Sequence, residues 1–384
     1  MRVLFTVSPG LGHLFPTISL AWALRAAGHE VLVATAADGV AAAIRAGLAA
    51  VATAPATAID AIFVGTVGEP AGRAHRMRER GRQIARAGGR THDLLLRTFG
   101  QVSAAMADRT VRLARWWRPE LVVHSRLDGT GLLVARMLDV PAVEHGFNLL
   151  REDDFAARFL PYLAEGFERH RVPLELPRRA VIHVAPPELM SGTGTGWSMR
   201  YVPYNAGGLL PDWLWEPPAR PRVLVTLGTV VPRLAGVGGL TGLLASAARV
   251  DAEFVLALGE DADLASLGRL PANVRPVGWT PLHPLLASCA AVVHHGGSGT
   301  TMTALSAGVP QLVLPHGADQ FVNADLVARH GVGRQSEPEE VDSELLSAVL
   351  RDRAVRGAAQ ATARRMGELP APVDLVGRLV ALAG

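Results

Sequence analysis

Residues 292–320, VVHHGGSGTTMTALSAGVPQLVLPHGADQ, set two adjacent histidines and a run of glycines between two apolar segments and end on an Asp-Gln pair. Glycines at 296, 297 and 299 let a ligand approach bare backbone, and the N–H groups of a helix starting there would favour phosphate oxygens. His295 could add a side-chain donor to such a phosphate. The same residues also read as a tight strand-to-helix turn with packed histidines. No carboxylate or cysteine stands at metal-ligand spacing, which argues against a metal site. Asp319 and Gln320, a carboxylate beside a carboxamide, suit the adjacent hydroxyls of a sugar. Asp319 alone reads equally well as a helix N-cap.

Two further stretches bear on the same chemistry. NVRPVGWTPLH ends a strand on Trp279, whose indole could stack on a flat heterocycle while the Thr280 backbone reads its edge; the alternative is a core tryptophan. SPGLGHLFP, residues 8–16, follows the first strand and carries His13 at a helix start. A helix N-terminus lowers an imidazole's pKa and keeps it neutral, available as a base. The loop offers G-x-G but Phe15 stands where a dinucleotide fingerprint has its third glycine, and Thr35 stands where the ribose-binding acid would be, so a nicotinamide cofactor is disfavoured. A base-stacking ring, a phosphate-binding helix start and a hydroxyl reader are together what a nucleotide-sugar requires.

The elements that would carry these residues follow an α/β grammar. RVLFTVS, a helix over LFPTISLAWALRAAG with its stop at Gly28, and HEVLVAT open the chain as a βαβ unit, and ELVVHS and PAVEHG continue it. Residues 55–100 read as a helical excursion rich in Arg, Ala and Gly. The pattern restarts at PRVLVTLGT and runs through EFVLALG, NVRPVGW, AAVVHHG and PQLVLP. We therefore expect two Rossmann-like β/α/β domains facing a cleft: an acceptor domain over 1–202, a Pro- and Gly-rich linker over 203–220, a nucleotide-sugar domain over 221–368, and a final helix over 369–384 that packs back on the first domain.

Composition narrows the class. All 38 basic residues of the 384 are arginine, and the formal net charge is only +3 despite a pI near 9.7. Basic residues scattered over two domains make no nucleic-acid footprint. No apolar run is long enough to span a bilayer, and the N-terminus enters a strand directly without a signal peptide. Cys289, alone, excludes an internal disulfide and reads as a reduced core thiol. A cytoplasmic bacterial protein is expected.

The segments SPGLGHLFPTISLAWALRAAGHEV, RYVPYNAGG, VLVTLGT, NVRPVGWTPLHPLL and VVHHGGSGTTMTALSAGVPQLVLPHGADQ resemble the inverting, nucleotide-sugar-dependent glycosyltransferases of GT-B fold. More narrowly, they are similar to the bacterial natural-product group, of calicheamicin type, that attaches deoxysugars to polyketide, macrolide and enediyne aglycones. The resemblance implies that His13 deprotonates the acceptor hydroxyl for direct displacement at the anomeric carbon, with inversion and no metal or other cofactor. It implies donor-phosphate contacts from His295 and from Gly297, Ser298, Gly299 and Thr300, with Gly228 and Thr229 approaching from across the cleft. Trp279, with Thr280 and Pro281, would hold the base, and Asp319 and Gln320 the sugar. A dTDP-linked donor is favoured.

The acceptor would lie against Gly10, Gly12, Phe15 and Phe147 and residues of 55–100. Many relatives orient the histidine with an aspartate that directly follows a histidine on the strand reading LVVHSRLDG here. Ser125 holds that place, and Asp128 is the carboxylate three residues on. The partners implied are a small-molecule aglycone and the nucleotide-sugar; a homodimer and an auxiliary activator protein are both compatible with the resemblance. Two other readings compete: a nucleotide-sugar epimerase or hydrolase of similar fold, and a non-catalytic nucleotide-sugar binder.

Overall fold

The computed structural model describes residues 1–67, 73–86, 92–259, 262–317 and 319–384. Its described strands form two sheets in which every pairing is parallel. The first contains β1 (Arg2–Thr6), β2 (Glu30–Thr35), β3 (Ala50–Ala52), β4 (Leu121–Ser125), β5 (Ala142–His145), β6 (Arg179–His183) and β7 (Trp197–Ser198), in the order β3-β2-β1-β4-β5-β6-β7. The second contains β8 (Arg222–Thr226), β9 (Glu253–Ala257), β10 (Val274–Val277), β11 (Ala291–His294), β12 (Gln311–Val313) and β13 (Gly333–Gln335), in the order β10-β9-β8-β11-β12-β13. Each sheet thus starts in its centre, winds outward to one edge and then reverses to the other. That reversal leaves a crevice at the carboxyl ends of the central strands, where ligands bind in doubly wound sheets.

The apolar runs account for the central strands. Val3, Leu4 and Phe5 on β1, and Val223, Leu224 and Val225 on β8, are buried on both faces, as helices on either side of a parallel sheet require. Burying each such side chain contributes roughly 1.5–3 kcal/mol relative to exposure. The edge strands β7 and β13 are two and three residues long and have no apolar run of their own. Neighbouring strands, not local pattern, call them into the sheet.

Two compact units result. One comprises residues 1–68, 90–206 and 369–384, the other 69–89 and 207–368. The last helix, Val376–Ala383, belongs to the first unit, and the Arg200 N–H donates to the Pro370 carbonyl at 2.8 Å just ahead of it. The excursion after β3 divides. Helix Ala56–Val67 packs on helix Asp93–Trp117 in the first unit, whereas helix Arg73–Arg86 packs in the second on helix Gln320–Arg329. Gly81 makes that packing feasible, since a Cβ there would meet the Phe321 ring at 2.5 Å. Arg82–Glu337 at 2.7 Å and Arg78–Glu339 at 2.9 Å flank the contact. Residues 68–72 and 87–91 of the excursion lie outside the described ones.

Cys289 sits half-buried beside the second core, its Sγ donating to the Leu285 carbonyl at 3.2 Å. Burial pushes its thiol up to about 12. Iodoacetamide at pH 8 should therefore label the native protein on the order of a thousandfold more slowly than an ordinary thiol, reaching that rate only on unfolding. Rapid labelling of the folded chain by mass spectrometry would contradict this.

Candidate active site

His13 stands in the first turn of helix Leu11–Ala26, at the carboxyl end of β1. The helix starts after Gly10, whose φ of +111° excludes most side chains, and Asp38 Oδ1 accepts the Gly10 N–H at 3.1 Å. Gly12 is exposed, and no neighbour demands glycine there. The imidazole is half-buried. Its Nδ1 is enclosed without a hydrogen-bond partner, and Nε2 forms the open edge. The Phe147 ring meets it edge-to-face at 4.8 Å and Phe99 at 5.3 Å, with Phe63 behind Phe99 at 5.8 Å. This apolar box pushes the imidazole down to about 4, through desolvation. The sequence pointed to the helix N-terminus as the cause of a lowered pKa; in the structure it is burial that lowers it.

Neither partner considered for His13 in LVVHSRLDG is bonded to it. Asp128 Oδ1 accepts from Thr130 Oγ1 at 2.6 Å and from the Gly131 N–H at 3.0 Å, so the carboxylate anchors the start of helix Thr130–Leu138. Burial raises the Asp128 carboxyl pKa, which those bonds only partly offset. Ser125 Oγ accepts the Ser8 N–H at 3.2 Å. Phe15 is half-buried and packs edge-to-face at 5.0 Å on Tyr204, which also meets Trp22.

The donor-type motifs all lie in the second unit. His294 ends β11; its Nε2 donates to Gln311 Oε1 at 2.8 Å and its Nδ1 accepts the Gly296 N–H at 3.0 Å, a purely structural role. His295 is buried beside it, its pKa lowered to about 3 by desolvation first and then by neighbouring His294 and His316. Its ring is wedged between two glycines. A Cβ on Gly297 would come within 2.3 Å of His295 Nε2, and one on Gly228 within 2.6 Å of Cε1. Gly228 and Thr229 therefore belong to the same unit as His295, with Gly228 against its ring. The expectation that they approach from across a cleft is corrected here: VLVTLGT and VVHHGG end on adjacent parallel strands, β8 and β11.

Helix Ser298–Ala307 starts at Gly297 without a side-chain cap, so its first-turn N–H groups face the carboxyl end of the sheet. A buried network fixes this turn. Ser298 Oγ donates to Asp319 Oδ2 at 2.7 Å, and Asn323 Nδ2 donates to the Gly296 carbonyl at 2.8 Å and to Ser298 Oγ at 3.2 Å. Ser298 and one oxygen of Asp319 are thus spent on each other. Thr300 is buried one turn in. Gln320 Oε1 accepts the His316 and Gly317 N–H groups at 2.8 and 3.1 Å, which leaves its amide N–H groups as the donors available to a ligand.

Trp279 is 37% exposed, so it is a surface ring and not a core one. It precedes Thr280, whose hydroxyl bonds to the Gly278 carbonyl, and Pro281, which caps helix Leu282–Ala287. Among the described residues no group of three or more His, Cys, Asp or Glu side chains is arranged to hold a metal ion, and no helix is long and apolar enough to cross a membrane. Sequence reasoning missed Phe99, Asp38, Asn323 and Arg126; none lies in a recognisable spacing, and all act through long-range contacts.

Comparison with known proteins places this arrangement. Residues 22–228 match the N-terminal domain and 241–382 the C-terminal domain described as "Erythromycin biosynthesis protein CIII-like". The structure is similar to the glycosyltransferase SnogD from Streptomyces nogalater, with TM-score 0.85, 40% identity, and coverage of 100% of this chain and 99% of that one. It is also similar to Streptomyces sp. SF2575 glycosyltransferase SsfS6 complexed with thymidine diphosphate, with TM-score 0.79, 31% identity and 99% coverage of each chain. In sequence it is 41% identical to the elloramycin glycosyltransferase ElmGT of Streptomyces olivaceus, over 99% of this chain and 97% of that protein.

Two doubly wound parallel sheets with these neighbours define a GT-B glycosyltransferase. The chain belongs to the Erythromycin biosynthesis protein CIII-like family of such enzymes.

Because burial lowers the His13 pKa to about 4, a reaction using it as base should keep its kcat/KM from neutral pH down to about pH 5 and lose it near pH 4. An acid limb at the ordinary histidine value of 6.5 would contradict the enclosure. Gly297→Ala and Gly228→Ala should each displace His295 and weaken nucleotide binding about tenfold or more by calorimetry. Gly299→Ala meets no atom within 4 Å, so any loss it shows measures contact with the ligand rather than a distorted loop.

Proposed function

We propose that this glycosyltransferase moves a deoxysugar from a dTDP-sugar to the hydroxyl of a polyketide-type aglycone, with inversion at the anomeric carbon. The observation that carries this reading is the neutral His13 imidazole, packed between Phe99 and Phe147 with Nδ1 enclosed and Nε2 open. Such a base takes the acceptor proton as the acceptor oxygen attacks the anomeric carbon. The bond from that carbon to the diphosphate oxygen breaks, and the diphosphate leaves with the bonding pair. The first-turn N–H groups of helix Ser298–Ala307, together with His295, meet its charge. We assign base stacking to Trp279 with Thr280 and Pro281, and sugar contacts to Asp319 and the amide of Gln320.

Acceptor binding is assigned to the first unit, around Gly10, Gly12 and Phe147. An apolar wall at His13 suits a large polycyclic or macrocyclic aglycone, including the enediyne-like class that the sequence motifs resemble. Thymidine diphosphate in SsfS6 supports a dTDP-linked donor. We place the enzyme in the bacterial cytoplasm, where a lone thiol stays reduced.

His13→Ala should lower turnover about 10²–10⁴-fold at saturating donor while leaving dTDP affinity intact. Unchanged turnover would remove His13 as the base. dTDP should quench tryptophan fluorescence in the native protein, and Trp279→Ala should abolish most of that signal. Stronger binding of UDP than of dTDP would overturn the donor assignment. Consumption of dTDP-sugar without any acceptor would favour a hydrolase or epimerase.

A further inference from the structure

Arg126 lies between Ser125 and Asp128, and its side chain is only 3% exposed. Nη1 donates to the Leu150 carbonyl at 3.0 Å, and Nη2 pairs with the Glu152 carboxylate. The guanidinium lies over the Phe155 ring at 4.2 Å from its centre, and Nε is 3.9 Å from Glu144 Oε1. Glu152 also receives Arg158 Nη1 at 3.0 Å. Asp153, Arg179 and His183 line the cavity of about 460 Å³ beside this cluster. A desolvated guanidinium persists only with partners so placed. Here the partners tie the end of β4 to the connection between β5 and helix Phe155–Phe159, residues 146–154.

That connection carries Phe147, the ring against His13. Its other fastenings run to β6 and to the 191–195 segment rather than to β4: Gly146 N–H to the Ile182 carbonyl at 2.8 Å, Ser191 N–H to the Leu149 carbonyl at 2.7 Å, Arg151 N–H to the Ser191 carbonyl at 2.9 Å, the Arg151 side chain to the Gly194 carbonyl, and Thr195 N–H to Asp153 Oδ1 at 2.7 Å. Among the described residues, Arg126 ties the end of β4 to the loop at both Leu150 and Glu152, while Arg179 on β6 reaches it only at the Asp153 carbonyl, at 3.4 Å.

We propose that Arg126 is a positioning residue for glycosyl transfer: it holds the 146–154 loop so that Phe147 stays packed on His13 and forms one wall of the acceptor site. It touches neither His13 nor substrate. The proposal rests on the reading of His13 as the base.

The test compares Arg126→Lys, the charge-balanced pair Arg126→Met with Glu152→Gln, and Phe147→Leu, each in the full chain. Acceptor KM should rise roughly tenfold in the Met/Gln pair and less in Arg126→Lys, kcat should fall about ten- to a hundredfold, and dTDP affinity should stay at the wild-type value. Loosening Phe147 also hydrates the imidazole, so the acid limb of kcat/KM should move from about 4 toward 6.5. A merely structural arginine would lower the yield of folded protein without moving that limb. Phe147→Leu should move the limb as far, and adding Arg126→Lys to it should move it no further.

Wild-type acceptor KM and acid limb in a folded Met/Gln variant would overturn the proposal. So would a limb shift that adds to that of Phe147→Leu. Should the Met/Gln pair fail to accumulate, Arg126→Lys decides, and an unmoved limb and KM overturn the proposal. The two readings part cleanly. Activity retained in His13→Ala sinks the base assignment, whereas an inactive His13→Ala beside an indifferent Arg126 series sinks this proposal alone.

Discussion

A histidine can take a proton from a weakly acidic hydroxyl only while it carries none itself, and that constraint organises the first unit. His13 packs against Phe99 and Phe147, with Nδ1 enclosed and Nε2 left open. The usual device for orienting a catalytic imidazole is a carboxylate on the second nitrogen, which also stabilises the charged form. Here Asp128 is committed to the start of helix Thr130–Leu138 and Ser125 to the Ser8 N–H. Packing on Phe99 and Phe147 orients the His13 ring instead, and the same desolvation works against its imidazolium form.

The second unit uses the same fold to a different electrostatic effect. A parallel sheet of this winding places helix N-termini, which favour negative charge, at the carboxyl ends of its central strands. Two glycines, 228 and 297, exist in contact with the His295 ring because any side chain there would occupy its space. The buried Ser298–Asp319–Asn323 network then locks the turn. Its bonds rigidify the turn, although Asn323 Oδ1 stays buried without a partner of its own.

How much of this was legible beforehand differs by element. The central strands, the two-unit plan, the glycine-rich turn and His13 all stand on local patterns: apolar runs, a stop at Gly28, a G-x-G loop. Gln320 shows the limit. Its type suggested a hydroxyl reader, yet its oxygen is held by the His316 and Gly317 N–H groups, a bond no spacing announces. Helix Arg73–Arg86 shows it again, since a segment following β3 in sequence packs in the other unit through the Gly81–Phe321 contact.

The sequence by itself determined the elements and the chemistry available at their ends, because strand burial and helix starts are local consequences of side-chain type and period. Tertiary structure alone decided which atoms remain free to act. It placed Phe99, 86 residues on in the chain, against His13; it spent Asp128 on a helix start and Ser298 on Asp319; and it set Arg126 in a buried cluster of carboxylates. The reason is physical: hydrogen-bond partners and desolvation depend on what the fold brings within a few ångströms, and residues distant in sequence supply most of that.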